Sequence, residues 1–169
     1  SNVSLSSSCS IGDDFLNAGD LSRFSVNDII SLSTFDSITN GAFASDANWF
    51  KNTGWSIGSG VATATAGSAS ALVQNANNIA SPIIEGVVYK LVYTLTRSAG
   101  SIQPLIAGNA GTSRSSGGTY TEYIMAGDSN SPIQFVKDAS FAGTVDNVSL
   151  TTTEHMKITS MTESKLYVQ

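Results

Sequence analysis

The chain has 169 residues, 41% of them hydrophobic and only 12% charged, with a net charge of −5 and one cysteine. That length and apolar share suit one domain with its own core plus extensions, and they exclude wholesale disorder. Cys9 stands alone, which rules out an intrachain disulfide and a cysteine cluster for zinc, and the eight scattered Lys and Arg residues form no stripe for nucleic acid. No apolar run approaches the roughly 20 residues of a membrane span, and the first residues lack a basic-then-apolar leader. The expectation is therefore a protein made in a cytoplasm without Sec export, with neither a membrane nor a nucleic acid as partner.

Residues 1–35 surround single apolar side chains with Ser, then carry an irregular apolar series. Val3, Leu5, Phe15, Leu16, Phe24, Ile29 and Ile30 are too sparse to build a core alone. The segment reads as an anchoring arm, the alternative being a loose polar leader. Ser25 with Asp28 predicts one capped helical turn before Ile29 and Ile30.

From Asp36 onward the pattern is all-β. Residues 55–57 and 61–65 predict a hairpin around Gly58-Ser59-Gly60, followed by strands over 71–74, 87–96, 102–106, 120–125, 133–136 and 141–150. Alternation along 87–96 places Tyr89, Leu91, Tyr93 and Leu95 on one face and Val88, Lys90, Val92 and Thr94 on the other. Pro104 has no N–H to give a ladder, which suggests an edge or a bulge. About eight strands separated by Gly and Ser turns predict an antiparallel sandwich or barrel over 36–150. Residues 151–169 add one more hairpin, over 156–159 and 165–168, able to lie on its own sheet or pair with a neighbour's edge.

Asn40-Gly41-Ala42-Phe43, Trp49, Gly54-Trp55-Ser56-Ile57, Tyr89, Gly117-Gly118-Thr119-Tyr120-Thr121 and Val145-Asp146-Asn147-Val148 together carry a resemblance. This pattern, over about two-thirds of the chain, resembles the jelly-roll carbohydrate-binding-module-like domains often found in bacteriophage virion proteins. The resemblance implies an antiparallel jelly-roll β-sandwich with an N-terminal arm and a C-terminal hairpin. In sugar-binding relatives an acidic residue follows the Asn-Gly-x-Phe turn and, with an Asp near the C-terminal strand, helps hold a structural calcium. Here Ala44 stands at the first position, leaving Asp146, with Asp46 as a substitute ligand; no other cofactor is implied.

Sugar-binding faces stack aromatic rings on pyranose faces, with amides and acids on the hydroxyls. The candidates are Tyr120, Tyr123 and Trp55, with Trp49 beside them and Arg114, Asn109, Glu122 and Asp128 as polar partners. Trp49 and Trp55 also read as core residues closing one end of the sandwich, which their place beside the fold-defining turns favours. Tyr120 and Tyr123 lie an odd number apart, so one strand face cannot hold both.

No catalytic set stands out, and a non-enzyme is expected. His155 is alone, neighbours Asp13-Asp14 point to opposite faces of a strand, and Glu85 and Glu122 read as solvated carboxylates. The Gly-rich 108–118 stretch lacks the Gly-Lys-Ser/Thr ending of a phosphate loop. Asn2-Val3-Ser4 and Asn147-Val148-Ser149 fit a glycosylation pattern by chance. The leading expectation is a capsid decoration protein on the surface of a tailed-phage virion, its arm on the major capsid protein or another virion protein, and assembled as a homo-oligomer, most simply a trimer. The alternative is a glycan-binding module of a tail fibre or other adsorption structure, with a cell-surface glycan as partner.

Overall fold

The computed structural model describes residues 35–128 and 131–152, plus four strands that flank them. Two of those come first in the chain, β1 (Phe15–Leu16) and β2 (Ile29–Ser31). Then follow β3 (Phe50–Lys51), β4 (Trp55–Gly58), β5 (Val61–Ala64), β6 (Ser70–Gln74), β7 (Val88–Ala99) and β8 (Ile102–Ile106). The body is completed by β9 (Asn109–Ala110), β10 (Gly118–Met125), β11 (Ile133–Lys137) and β12 (Ala142–Thr152). The last two strands are β13 (His155–Met161) and β14 (Leu166–Val168).

Residues 34–153 form one compact unit, an antiparallel jelly-roll sandwich of two five-stranded sheets. The front sheet runs β3–β6–β11–β8–β9 and the back sheet β10–β7–β12–β5–β4. Only β4–β5 and β8–β9 are local hairpins; every other connection crosses between sheets, so both layers are needed before either is complete. The β4–β5 turn carries Ser59 at φ 54° and Gly60 at φ 77°, the left-handed pair a two-residue hairpin demands. The strands expected from alternation all form. Within this unit the two strands that sequence reading missed, β3 and β9, are two-residue edges too short to show a period.

Residues 1–33 and 154–169 form a second unit, in which strands from both ends of the chain pair. Its antiparallel sheet has the order β1–β14–β13–β2, with Phe15 against Tyr167 and Ile30 against Met156. Ile29 and Ile30 are thus strand residues. The helical turn expected over 25–28 lies outside the described residues, as do Val3, Leu5 and Phe24.

Between the sandwich sheets, Tyr89, Leu91, Tyr93 and Leu95 of β7 are at most 2% exposed, as their alternation required. Rings link in series across this core: Phe43 to Trp49 (5.3 Å), Trp49 to Phe135 (6.4 Å), Phe135 to Tyr93 (5.2 Å) and Tyr93 to Tyr120 (5.5 Å). Trp49 and Trp55 are both buried core residues, and the Trp55 indole N–H has no hydrogen-bond partner among the described residues. Pro104 lies one strand in from the edge. Its carbonyl accepts from Gly111 N–H (2.8 Å), so its ring nitrogen faces the β9 side, where a two-residue strand needs few donors.

The opening and closing motifs of the sequence interlock. Asn147, at φ 50°, bulges β12 between Asp146 and Ser149, and the displaced Val148 N–H donates to the Gly41 carbonyl at 2.9 Å. Asp36 Oδ1 accepts from both Ile38 and Leu150 N–H at 2.9 Å, and buried Gln74 grips Thr39 through its N–H (3.1 Å) and its carbonyl (2.7 Å). On the outer face of the back sheet, Ser56, Thr63, Thr144 and Thr96 stand in one row across four strands, with Thr96 and Thr144 hydroxyls 2.6 Å apart.

A Cβ added at Gly41 would lie 1.9 Å from the Val148 carbonyl oxygen, so Gly41→Ala must break the interlock. We expect a loss of about 3 kcal/mol in urea unfolding, whereas Gly58→Ala, whose Cβ meets nothing within 4 Å, should stay within about 0.5 kcal/mol of the parent.

Candidate functional site

Strand pairing lines up the outward residues of the front sheet. Phe50 pairs with Val73, Val73 with Gln134, Gln134 with Leu105 and Leu105 with Ala110, giving one row across all five strands. A second row holds Ala71, Val136 and Gln103. The inward positions between them (Leu72, Phe135, Ile133, Ile102 and Ile106) are core residues. Both faces of this sheet are therefore largely apolar, although only one meets the core. Phe50, at the edge, is 58% exposed.

Two amides interrupt this apolar surface. Gln103 Nε2 donates to the Gly111 carbonyl (2.8 Å). The Gln134 carboxamide has no hydrogen-bond partner among the described residues. Beside Gln103 and Val136, a shallow groove continues over Ser101, Ser113 and Asp138. Neither row contains a charge. Five strands at about 4.8 Å spacing make a platform roughly 19 Å wide. Sequence reading missed it, although a signal was present: in a sandwich, outward strand positions are normally polar, and here they read Val, Leu and Val.

The four residues expected to stack on or bond a sugar do not converge. Trp55 packs in the core against Phe141 (6.5 Å between rings), and Tyr123, 65% exposed, faces out from the back sheet opposite Lys90. Tyr120 points inward on the same strand, and Arg114 stacks over its ring at 4.3 Å. Arg114 and Tyr120 belong instead to a hydrogen-bonded cluster about Glu122. Glu122 Oε1 accepts from Tyr93 (2.8 Å) and Arg114 (3.1 Å), while Oε2 accepts from Thr112 N–H (2.6 Å). Tyr120 in turn donates to the Ser116 carbonyl (2.8 Å). The cluster fastens the 111–117 loop to β10. Asn109 spends its amide on the Met125 carbonyl (2.9 Å).

Burial alone would raise the Glu122 pKa, but the Thr112 N–H, Tyr93 and Arg114 outweigh it and hold the carboxyl below its ordinary 4.5. Burial, reinforced by the Glu122 carboxylate, pushes the Tyr93 hydroxyl well above its ordinary range. A glycosidase acid needs the reverse shift and an open carboxyl. Glu122 has neither, and Glu85 is exposed on the approach to β7. His155 lies in β13 of the terminal unit.

The expected calcium ligands are engaged with protein nitrogens. Asp46 pairs with the Lys51 ammonium, and Asp146 accepts from Asn147 N–H (2.6 Å) and Asn147 Nδ2 (3.2 Å). The neighbouring carbonyls of Ser45 and Ala47 both accept from Asn40 Nδ2 (2.8 and 2.9 Å). Among the described residues no three of His, Cys, Asp or Glu cluster. These residues do not fit the cation.

No family model matches the chain, and no curated protein does. Among solved structures it is similar to the N-terminal cellulose-binding domain of Cellulomonas fimi β-1,4-glucanase C. The identity is 22%, over 69% of this chain and 97% of that one, with a TM-score of 0.46. It is also similar to CBM35 from Paenibacillus barcinonensis, at 14% identity over 70% and 97% of the two chains, with a TM-score of 0.40. Capsid decoration, the leading expectation from sequence, has no counterpart in these comparisons.

Because the folded state holds Glu122 below its unfolded pKa, its contribution to stability is complete above 4.5 and is lost as pH falls through the lower folded value. We expect melting temperature to drop between about pH 5 and pH 3, and the drop to be shallower in Glu122→Gln. Residual slope in the variant is assigned to exposed Asp138, whose pKa Ser101 lowers. Parallel profiles for the two proteins would remove Glu122 from the acid response.

Proposed function

We propose that the sandwich is a non-catalytic glycan-binding module whose ligand lies along the outer face of the front sheet. One observation carries this reading: the uncharged row Phe50–Val73–Gln134–Leu105–Ala110, continuous across five strands and apolar where a solvated sheet face should be polar. A pyranose has two apolar CH faces and a rim of hydroxyls. Val73 and Leu105 suit the former, Phe50 gives an exposed ring at one end, and the amides of Gln134 and Gln103 give paired donors and acceptors to the latter.

A row that runs across all five strands suits the middle of a linear chain rather than a terminal sugar held in a pocket. Its lack of charge suits a neutral polysaccharide, since a uronate or sulfated chain calls for Lys or Arg in the rows. The low charge of the whole protein is consistent with that preference. A cell-surface glycan, bound by the module as part of an adsorption structure, is one source of such a ligand, and a plant or microbial polysaccharide is another.

Retardation in gels containing soluble neutral polysaccharides tests the reading. Phe50→Ala should weaken retention by about tenfold, close to the 1.4 kcal/mol of a ring contact, and Gln134→Ala by a smaller factor. Tyr123→Ala, on the opposite sheet, should leave it unchanged. Loss of binding in Tyr123→Ala with none in Phe50→Ala would move the site to the back sheet.

A further inference from the structure

We propose that the Asn40 carboxamide and the Lys51 ammonium take the place of a divalent cation in the 40–51 loop, so that the sandwich and its front face assemble without calcium. The loop carries three oxygens of the kind such a cation takes. The Ser45 and Ala47 carbonyls meet at one point, the Asn40 carboxamide, and Asp46 between them in sequence adds a carboxylate. A hard cation collects such a set by binding six to eight oxygens. Here each of the three oxygens instead has a nitrogen of this chain.

Asn40 is the centre of the arrangement. Its backbone is left-handed at φ 55°, a conformation Asn accepts more readily than most residues. Its Nδ2 has two hydrogens, and both are used, on Ser45 and Ala47. Its own carbonyl accepts from Phe43 N–H and from Trp49 Nε1, each at 3.2 Å. One residue thus ties positions 43, 45, 47 and 49, and the adjacent Gly41 carbonyl is taken by Val148. Lys51 then neutralises the one carboxylate of the loop, Asp46. A carboxylate at position 40 would face two carbonyl oxygens with no proton to give and would itself require a metal.

The latch has a consequence for the front face, and this clause rests on the proposed function. Lys51 and Phe50 make up β3, and Trp49 is anchored in the core immediately before them. Closing the loop onto Lys51 fixes the only strand that brings Phe50 beside Val73. Asn40 and Lys51 are thus positioning residues for the exposed ring.

The test uses the intact chain, stripped with EDTA and then melted with and without millimolar calcium chloride. The parent should show the same melting temperature in both to within about 1 °C, and a rise of several degrees on adding calcium overturns the proposal. Asn40→Asp keeps the size and the backbone preference but loses both hydrogens. In EDTA it should melt roughly 4–8 °C lower, with altered Trp49 fluorescence, and a variant as stable as the parent also overturns the proposal. Retention on polysaccharide gels should be equal in EDTA and calcium, and retention that EDTA abolishes counts against the latch. If no polysaccharide retards the parent at all, the glycan reading fails, while the melting comparison still decides the role of calcium.

Discussion

Val148 cannot pair in register with β7, because Asn147 pushes the chain out of line, and the N–H thereby released is satisfied by Gly41. That one backbone contact joins two segments more than a hundred residues apart in sequence. The Asn40 turn it secures sets the positions of Phe43 and Trp49, the first rings of the series that reaches Tyr120 under Arg114. At the far end the Glu122 cluster closes the sandwich against the 111–117 loop. Core packing between these ends is dense with aromatic contacts, and such contacts constrain one another more tightly than aliphatic ones. The sheets are held in register by both ends at once.

Much of this body was legible in the sequence. The alternation of 87–96 separated inward from outward residues correctly, and Gly58-Ser59-Gly60 marked its hairpin. The motif pair at 40–43 and 145–148 is legible because its backbone leaves no freedom: a left-handed Asn, a glycine against a carbonyl and a bulge all restrict residue choice. The pairing of the two chain ends in one sheet was not legible. Nothing local in Phe15–Leu16 or Leu166–Val168 names a partner some 150 residues away, and strand pairing carries no code beyond its two-residue period.

The candidate face was harder to read for a different reason. Sequence reasoning looked for aromatic rings and found Trp55, Tyr120 and Tyr123, but two of these serve the interior or its rim. The platform is made instead of Val73, Leu105, Val136 and two glutamines, residue types that are unremarkable until register places them side by side. Apolar residues on both sides of a strand look like a buried strand in sequence. Only the topology, by leaving the front sheet uncovered within its own unit, turns that ambiguity into a surface.

The opposite side of the sandwich differs in kind. Ser56, Thr63, Thr144 and Thr96 cannot gain or lose a proton in water, so acidity and dissolved electrolyte leave that ladder as it is. Thirteen acidic residues give the chain its negative charge. The wetting of that hydroxyl row does not draw on them, and colloidal dispersal of this protein accordingly owes less to charge than its isoelectric point suggests.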